Sequence, residues 1–291
     1  MKISSEKNFL LRNNVTLFFA FFVVVGIFIS KETPYNMMNA LVQSFTGYSL
    51  LALSLLIPVM VGMGFNFSVV IGAIAGQLGV IMVVNWELSG ILGFLTAALF
   101  ATIFAVLFGI LAGMLLNKAR GHEMIASWFV GYLGGNIYVF ILLTLMGSVI
   151  PIKSHKILLS GGVGLKNTID LKGTLLHSID GLLFKNIQFP VITGVLICAV
   201  AVFNIMITRT KIGQDFTQLS SNVQNPADSN RHSSKVRITA ITISTIVAAW
   251  GQIVLLQNKG SFSTYGSHLG IGLLAVSALV VGGATISKAT V

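Results

Sequence analysis

Charge is what this chain has least of. Asp, Glu, Lys and Arg make up only 9% of its 291 residues, against about a quarter in soluble domains. That excludes an ordinary soluble fold. Hydrophobic residues reach 55% and the mean hydropathy is +0.90, so the sequence predicts an all-α, polytopic membrane helix bundle. The eight acids are Glu6, Glu32, Glu87, Glu123, Asp170, Asp180, Asp215 and Asp228. Each falls in a loop or at the edge of an apolar run, and no Lys, Arg or His falls at the centre of one. Ionisable groups in mid-membrane mark proton relays and ion-coupled pumps. Their absence argues against a proton-coupled secondary transporter and leaves sodium coupling through carbonyls as the ion-driven alternative.

Chemistry-bearing clusters are missing too. Cys198 is the only cysteine, so there is no intrachain disulfide and no cysteine-based metal cluster. The five histidines are scattered without metal-ligand spacing. Nothing pairs a nucleophile with a base or spells a dinucleotide fingerprint, so no enzyme, metal or cofactor is expected. The stretch from Ser160 to Thr168 is glycine-rich but lacks the Gly-Lys-Ser/Thr ending of a phosphate loop. This chain is not expected to hydrolyse ATP. A net charge of +10 would suggest nucleic acid for a soluble protein; here basic residues at span ends account for it, and no nucleic acid partner is expected.

What is present is a series of apolar runs, each close to the roughly 20 residues a spanning helix needs. About eight spans are expected, near 15–30, 48–65, 68–84, 91–116, 124–150, 191–207, 238–256 and 269–286. An amphipathic approach at 37–45 leads into the second. With the N-terminus in the cytoplasm, eleven Lys and Arg lie in inner segments and seven in outer ones, the sense of the positive-inside rule. The interval 151–190 is then an extracytoplasmic loop and 209–237 a cytoplasmic one. The whole chain, 1–291, reads as a single transmembrane domain in a lipid bilayer.

The inner interval has its own organisation. Ile212, Phe216, Leu219 and Val223 recur at spacings of four, three and four, one face of a short amphipathic helix. Asn225 followed by Pro226 resembles an N-cap with proline at the first helical position, and Asp228 suits the positive end of that second helix. Such helices suit docking of a soluble partner or rest on lipid headgroups. Inside the spans the polar residues are neutral: Asn66 and Ser68 opening the third, Gln77 within it, Asn136, Asn204 and Gln252. These can line a path for an uncharged solute or bond across helices as glue. Gly72 with Gly76 and Gly109 with Gly113 are spaced for close backbone approach, and Gly131, Gly134 and Gly135 extend this into the fifth span.

Five stretches in order resemble the permease subunits of bacterial ABC importers, in the group that carries ribose-type sugars, branched-chain amino acids and nucleosides. Gly64-Phe65-Asn66-Phe67-Ser68-Val69 followed by Gly72-Ala73 is similar to a span opening "Asp-Leu-Ser-Val-Gly-Ala". Leu115-Leu116-Asn117-Lys118, leading to Glu123-Met124-Ile125-Ala126-Ser127, resembles the turn before "Ile-Ala-Thr". Thr210-Lys211-Ile212-Gly213 matches the "Arg-Thr-x-x-Gly" opening of the family's coupling region, and 236–252 and 274–284 resemble two later spans.

The resemblance implies one half of a channel in the bacterial inner (plasma) membrane, paired with a second permease subunit. A cytoplasmic ATP-binding subunit would hydrolyse the ATP, and an extracytoplasmic solute-binding protein would deliver a small polar solute, a sugar in the branch it most resembles. Ile212, Gly213, Phe216, Leu219, Asn225 and Pro226 are then the contacts to the ATP-binding subunit. Asn66, Ser68, Gln77, Asn136 and Gln252 are candidates for the translocation path. A nucleoside or amino-acid permease, an ion-coupled transporter and a truncated, non-transporting remnant are the alternatives. Asn66 stands where the family carries an acid, and the chain stops soon after Gly282-Gly283. Relatives continue through at least one more span, and a truncated or degenerate gene is one reading of that early stop.

Overall fold

The computed structural model describes residues 14–180, 190–221 and 231–282. Nine α-helices are found among them: α1 (Asn14–Ile29), α2 (Pro34–Met60), α3 (Val69–Asn85), α4 (Gly90–Lys118), α5 (Glu123–Phe140), α6 (Val191–Ile207), α7 (Lys211–Ser221), α8 (Arg231–Lys259) and α9 (Ile271–Val281). A π turn, Ile141–Leu145, prolongs α5. The chain is an all-α bundle with apolar helices suited to a membrane. Two three-residue strands, β1 (Thr168–Asp170) and β2 (Ser261–Ser263), pair antiparallel with Ile169 opposite Phe262.

Among the described residues four helical segments are long and apolar enough to cross a bilayer: Pro34–Met60, Gly90–Lys118, Glu123–Leu145 and His232–Lys259. A fifth is added if α6 and α7, which meet at 70°, count as one span. The expected eight are therefore not reached by length and composition. The reason is plain at α3, whose 17 residues extend only about 25 Å. It is preceded by an irregular segment, residues 61–68, that is buried except at the half-buried Gly62. Non-helical backbone at membrane depth survives only where protein or water satisfies it.

The helix α8 is the hub, in contact with α2, α3 and α4. It is buried almost all round from Val247 to Gln257. Close approach requires small residues on its neighbours. A Cβ on Gly72 would lie 2.6 Å from the Thr245 carbonyl oxygen, and one on Gly76 2.5 Å from that of Ala249. On α4 the buried stripe Ala97, Ala101, Ala105 and Gly109 repeats every fourth residue. A Cβ on Gly109 would stand 2.9 Å from Thr242 Cα, and one on Gly113 3.0 Å from Ile238 Cα. The glycine spacings thus pack helices, as a small-xxx-small pattern should.

The long loop after α5 is not a solvated excursion. Ile157, Leu158, Leu165, Ile169, Leu171 and Leu175 are buried, in one cluster with Tyr138 and Leu142 of the α5 segment and Ile81 and Val84 of α3. The Leu165 N–H donates to the Leu142 carbonyl at 3.1 Å and the Leu171 N–H to that of Gly260 at 2.8 Å. This loop is a lid on one end of the bundle. The other end carries α7, the α4–α5 turn and the start of α8.

Candidate functional site

The helix α7 forms where the spacing of Ile212, Phe216 and Leu219 predicts it. Thr210 starts it: its hydroxyl donates to the Ile207 carbonyl at 2.7 Å and accepts the Gly213 N–H at 3.3 Å. Gly213 permits the 70° bend, because a Cβ there would lie 1.9 Å from the Ile207 carbonyl oxygen. The Thr-x-x-Gly opening therefore has a local physical cause.

The apolar face of α7 is not offered outward. Phe216 is fully buried in a cluster with Ile57 of α2, Leu116 of α4, Ile207 of α6 and Val236 and Ala240 of α8, with Leu219 half-buried against it. Phe216, Leu219 and the buried Gly213 anchor the helix to the bundle, which leaves Ile212 as the member of that set on the outer side. Ile212, 45% exposed, and the exposed Gln214 and Thr217 make up the outward face. Asn225 and Pro226, with the second helix they would open, lie outside the described residues.

Charge fixes the same end. Arg237 and Glu123 form a nearly buried ion pair between α8 and the start of α5. Arg120 donates to Asn117 at 3.2 Å and to Ser234 at 3.0 Å. His232 lies 3.5 Å from Asp215. Both members of the buried pair are hydrogen-bonded, so neither is an isolated charge in a low dielectric. The helix α7 and the α4–α5 turn are thereby tied to one helix, α8.

The five candidate path residues separate into three kinds. Asn66 and Ser68 are buried and bond to each other: the Asn66 side-chain oxygen accepts the Ser68 N–H at 3.0 Å and its hydroxyl at 2.6 Å. The Phe67 N–H beside them donates to the Ser127 hydroxyl at 2.9 Å. This is an Asx turn that leads into α3 and docks it on α5. Gln77 and Gln252 are fully buried, and neither amide has a hydrogen-bond partner among the described residues. Gln252 sits on the α3–α8 seam, where its stem covers Gly76. Asn136 alone is exposed, its amide donating to the Tyr132 carbonyl at 2.8 Å. The structure does not bring the five together on one surface.

Two features escaped the sequence. Asp180 is buried; its carboxylate accepts the Thr193 N–H at 3.0 Å, the Thr193 hydroxyl, and the Gln257 amide at 3.0 Å. It closes the start of α6 onto the end of α8, an acid at a positive helix terminus. His268 is also fully buried, edge-on to Tyr138 at 5.2 Å and over Gly135, with both ring nitrogens unpartnered among the described residues. An acid at a loop–helix junction was a signal for the first; nothing local signals the second. No group of three or more potential metal ligands occurs among the described residues. No family model, curated protein or solved structure matches this chain.

Proposed function

We propose that this chain is the permease subunit of an ATP-driven importer for a small polar solute of the sugar class. In this reading it lies in a bacterial inner membrane with its N-terminus in the cytoplasm. The shorter helices α1, α3 and α9 complete the set of eight spans. A second permease subunit faces it, a cytoplasmic ATP-binding subunit drives it, and an extracytoplasmic solute-binding protein supplies it.

The observation that carries the reading is α7. It is a short helix turned 70° from a candidate span and pinned by Phe216 to the ends of α2, α4, α6 and α8. Only a rigid, packed element transmits a conformational change from one subunit to another. The absence of charge at span centres favours an external source of energy over an ion gradient.

The test is co-purification from the native cell in mild detergent, comparing the intact chain with Ile212→Asp. The intact chain should bring down an ATP-binding subunit, and the variant should lose most of it while unfolding at the same temperature. If the intact chain brings down no ATPase, the importer reading fails. Phe216 is unsuitable for this test, because changing it damages the bundle itself.

A further inference from the structure

We infer that the exposed stripe of α5 formed by Trp128, Tyr132 and Asn136, with the groove it shares with α9, faces water and contacts a neutral, hydroxyl-bearing solute. The solute rests on the permease reading; the water does not.

An exposed amide along a spanning helix is costly in lipid. Asn136 lies thirteen residues beyond Glu123, about 20 Å along a helix that rises 1.5 Å per residue. One amide hydrogen is satisfied by Tyr132, which leaves the side-chain carbonyl and the second hydrogen to the surroundings. Hydrocarbon offers these groups nothing. Four and eight residues earlier, on the same face, stand Tyr132, 67% exposed, and Trp128, 47% exposed.

The neighbouring helix α4 makes a contrast. From Leu99 to Leu111 the exposed positions of α4 are Leu99, Ile103, Leu107, Ile110 and Leu111, all aliphatic. Its hydroxyls are turned back onto the helix, Thr96 to the Leu92 carbonyl and Thr102 to that of Ala98. That face is built for lipid. The exposed α5 residues Ile125, Phe129, Leu133 and Ile137 form a similar stripe beside the polar one, so the helix has one wall for lipid and one for something wetter.

A groove runs between this stripe and α9. It is lined by Phe67, whose ring meets Trp128 edge-on at 5.0 Å, by Tyr132, and by Leu269, Gly270 and Leu273. Here α9 begins at Gly270 (φ 77°) with no side-chain cap, leaving first-turn N–H groups without intrahelical acceptors. Ser277 is exposed further along α9. Among the described residues no charged side chain lines the groove or the stripe, so a charged solute would find no counter-charge there. Aromatic faces suit the C–H side of a sugar-like ring, and the amide, phenol and indole groups suit its hydroxyls.

The test places single cysteines at Tyr132, Asn136, Ile103 and Leu107 in a Cys198→Ser background and treats native membranes with a water-soluble, membrane-impermeant maleimide. Tyr132→Cys and Asn136→Cys should react about tenfold or more faster than the two α4 variants, since a thiol in hydrocarbon neither ionises nor meets the reagent. Similar rates at all four positions, or cross-linking of Asn136→Cys to a second copy in place of labelling, would overturn the aqueous face. Glucose or ribose should then slow labelling of Asn136→Cys, and lysine or glutamate should not. Slowing by a charged amino acid, or by neither sugar, would overturn the solute class. Labelling without a co-purifying ATPase would sink the importer reading and leave the wet face standing; an ATPase without labelling would do the reverse.

Discussion

The two ends of the bundle are closed by different means. At the α7 end an amphipathic helix plugs Phe216 into an apolar cluster, and the buried Arg237–Glu123 pair locks the α4–α5 turn to α8. At the other end a long loop spreads over the helix tips, held by scattered leucines and a hydrogen-bonded carboxylate at Asp180. Smaller polar ties recur there: the Asn85 side chain accepts the Lys153 N–H at 2.7 Å, and Glu87 lies 3.4 Å from Lys156. The difference teaches where stability is concentrated. Burial of one large side chain and a desolvated ion pair fail as units, whereas many small contacts can be released one at a time.

Substitutions can break or sharpen that contrast. The largest effect is expected at the plug. Phe216→Ala should lower stability by about 3–5 kcal/mol, the range for emptying a buried aromatic site, read as the unfolding temperature in mild detergent. A loss below about 1 kcal/mol would mean the end is not held by this side chain. At the lid end, Asp180→Ala removes an acceptor of three hydrogen bonds and should cost about 1–3 kcal/mol. Proteolysis of the 151–190 loop should accelerate while the α7 end stays protected. Equal loss of protection at both ends would show one cooperative unit instead of two. The smallest effect is expected between the ends: Gln77→Leu or Gln252→Leu should leave stability unchanged or raise it, because an unpartnered buried amide is replaced by an apolar group of similar shape. A sharp destabilisation by either would mean that these amides hold hydrogen bonds in the membrane.

Much of this architecture was legible from local pattern. The limits of α6 coincide with the apolar run 191–207, and α7 follows from the spacing of three apolar residues, because both are short-range properties of a periodic chain. The glycine pairs on α3 and α4 found their partner helix for the same reason. What the sequence could not show was which side of α7 meets the bundle. An amphipathic helix at a membrane surface looks alike whether its apolar face is offered to a partner or spent as an anchor. The lid was hidden for a different reason. Leu158, Leu165, Leu171 and Leu175 stand singly or in groups of two or three along a largely polar stretch, and only their convergence in space makes a core. Asn66 and Ser68 were read as path residues although an Asx turn explains them, and Gln77 and Gln252 share polarity with Asn136 but not exposure.

The joint between α6 and α7 has a mechanical consequence. With Gly213 held against the Ile207 carbonyl there is no slack between the two helices, and Phe216 rests against residues of α2, α4 and α8 together. A load applied to the outward side of α7 is therefore shared among α2, α4, α6 and α8 as soon as it arrives. Such a joint behaves like a pin set through several beams. It favours tilting of the bundle as a body over the sliding of any single helix.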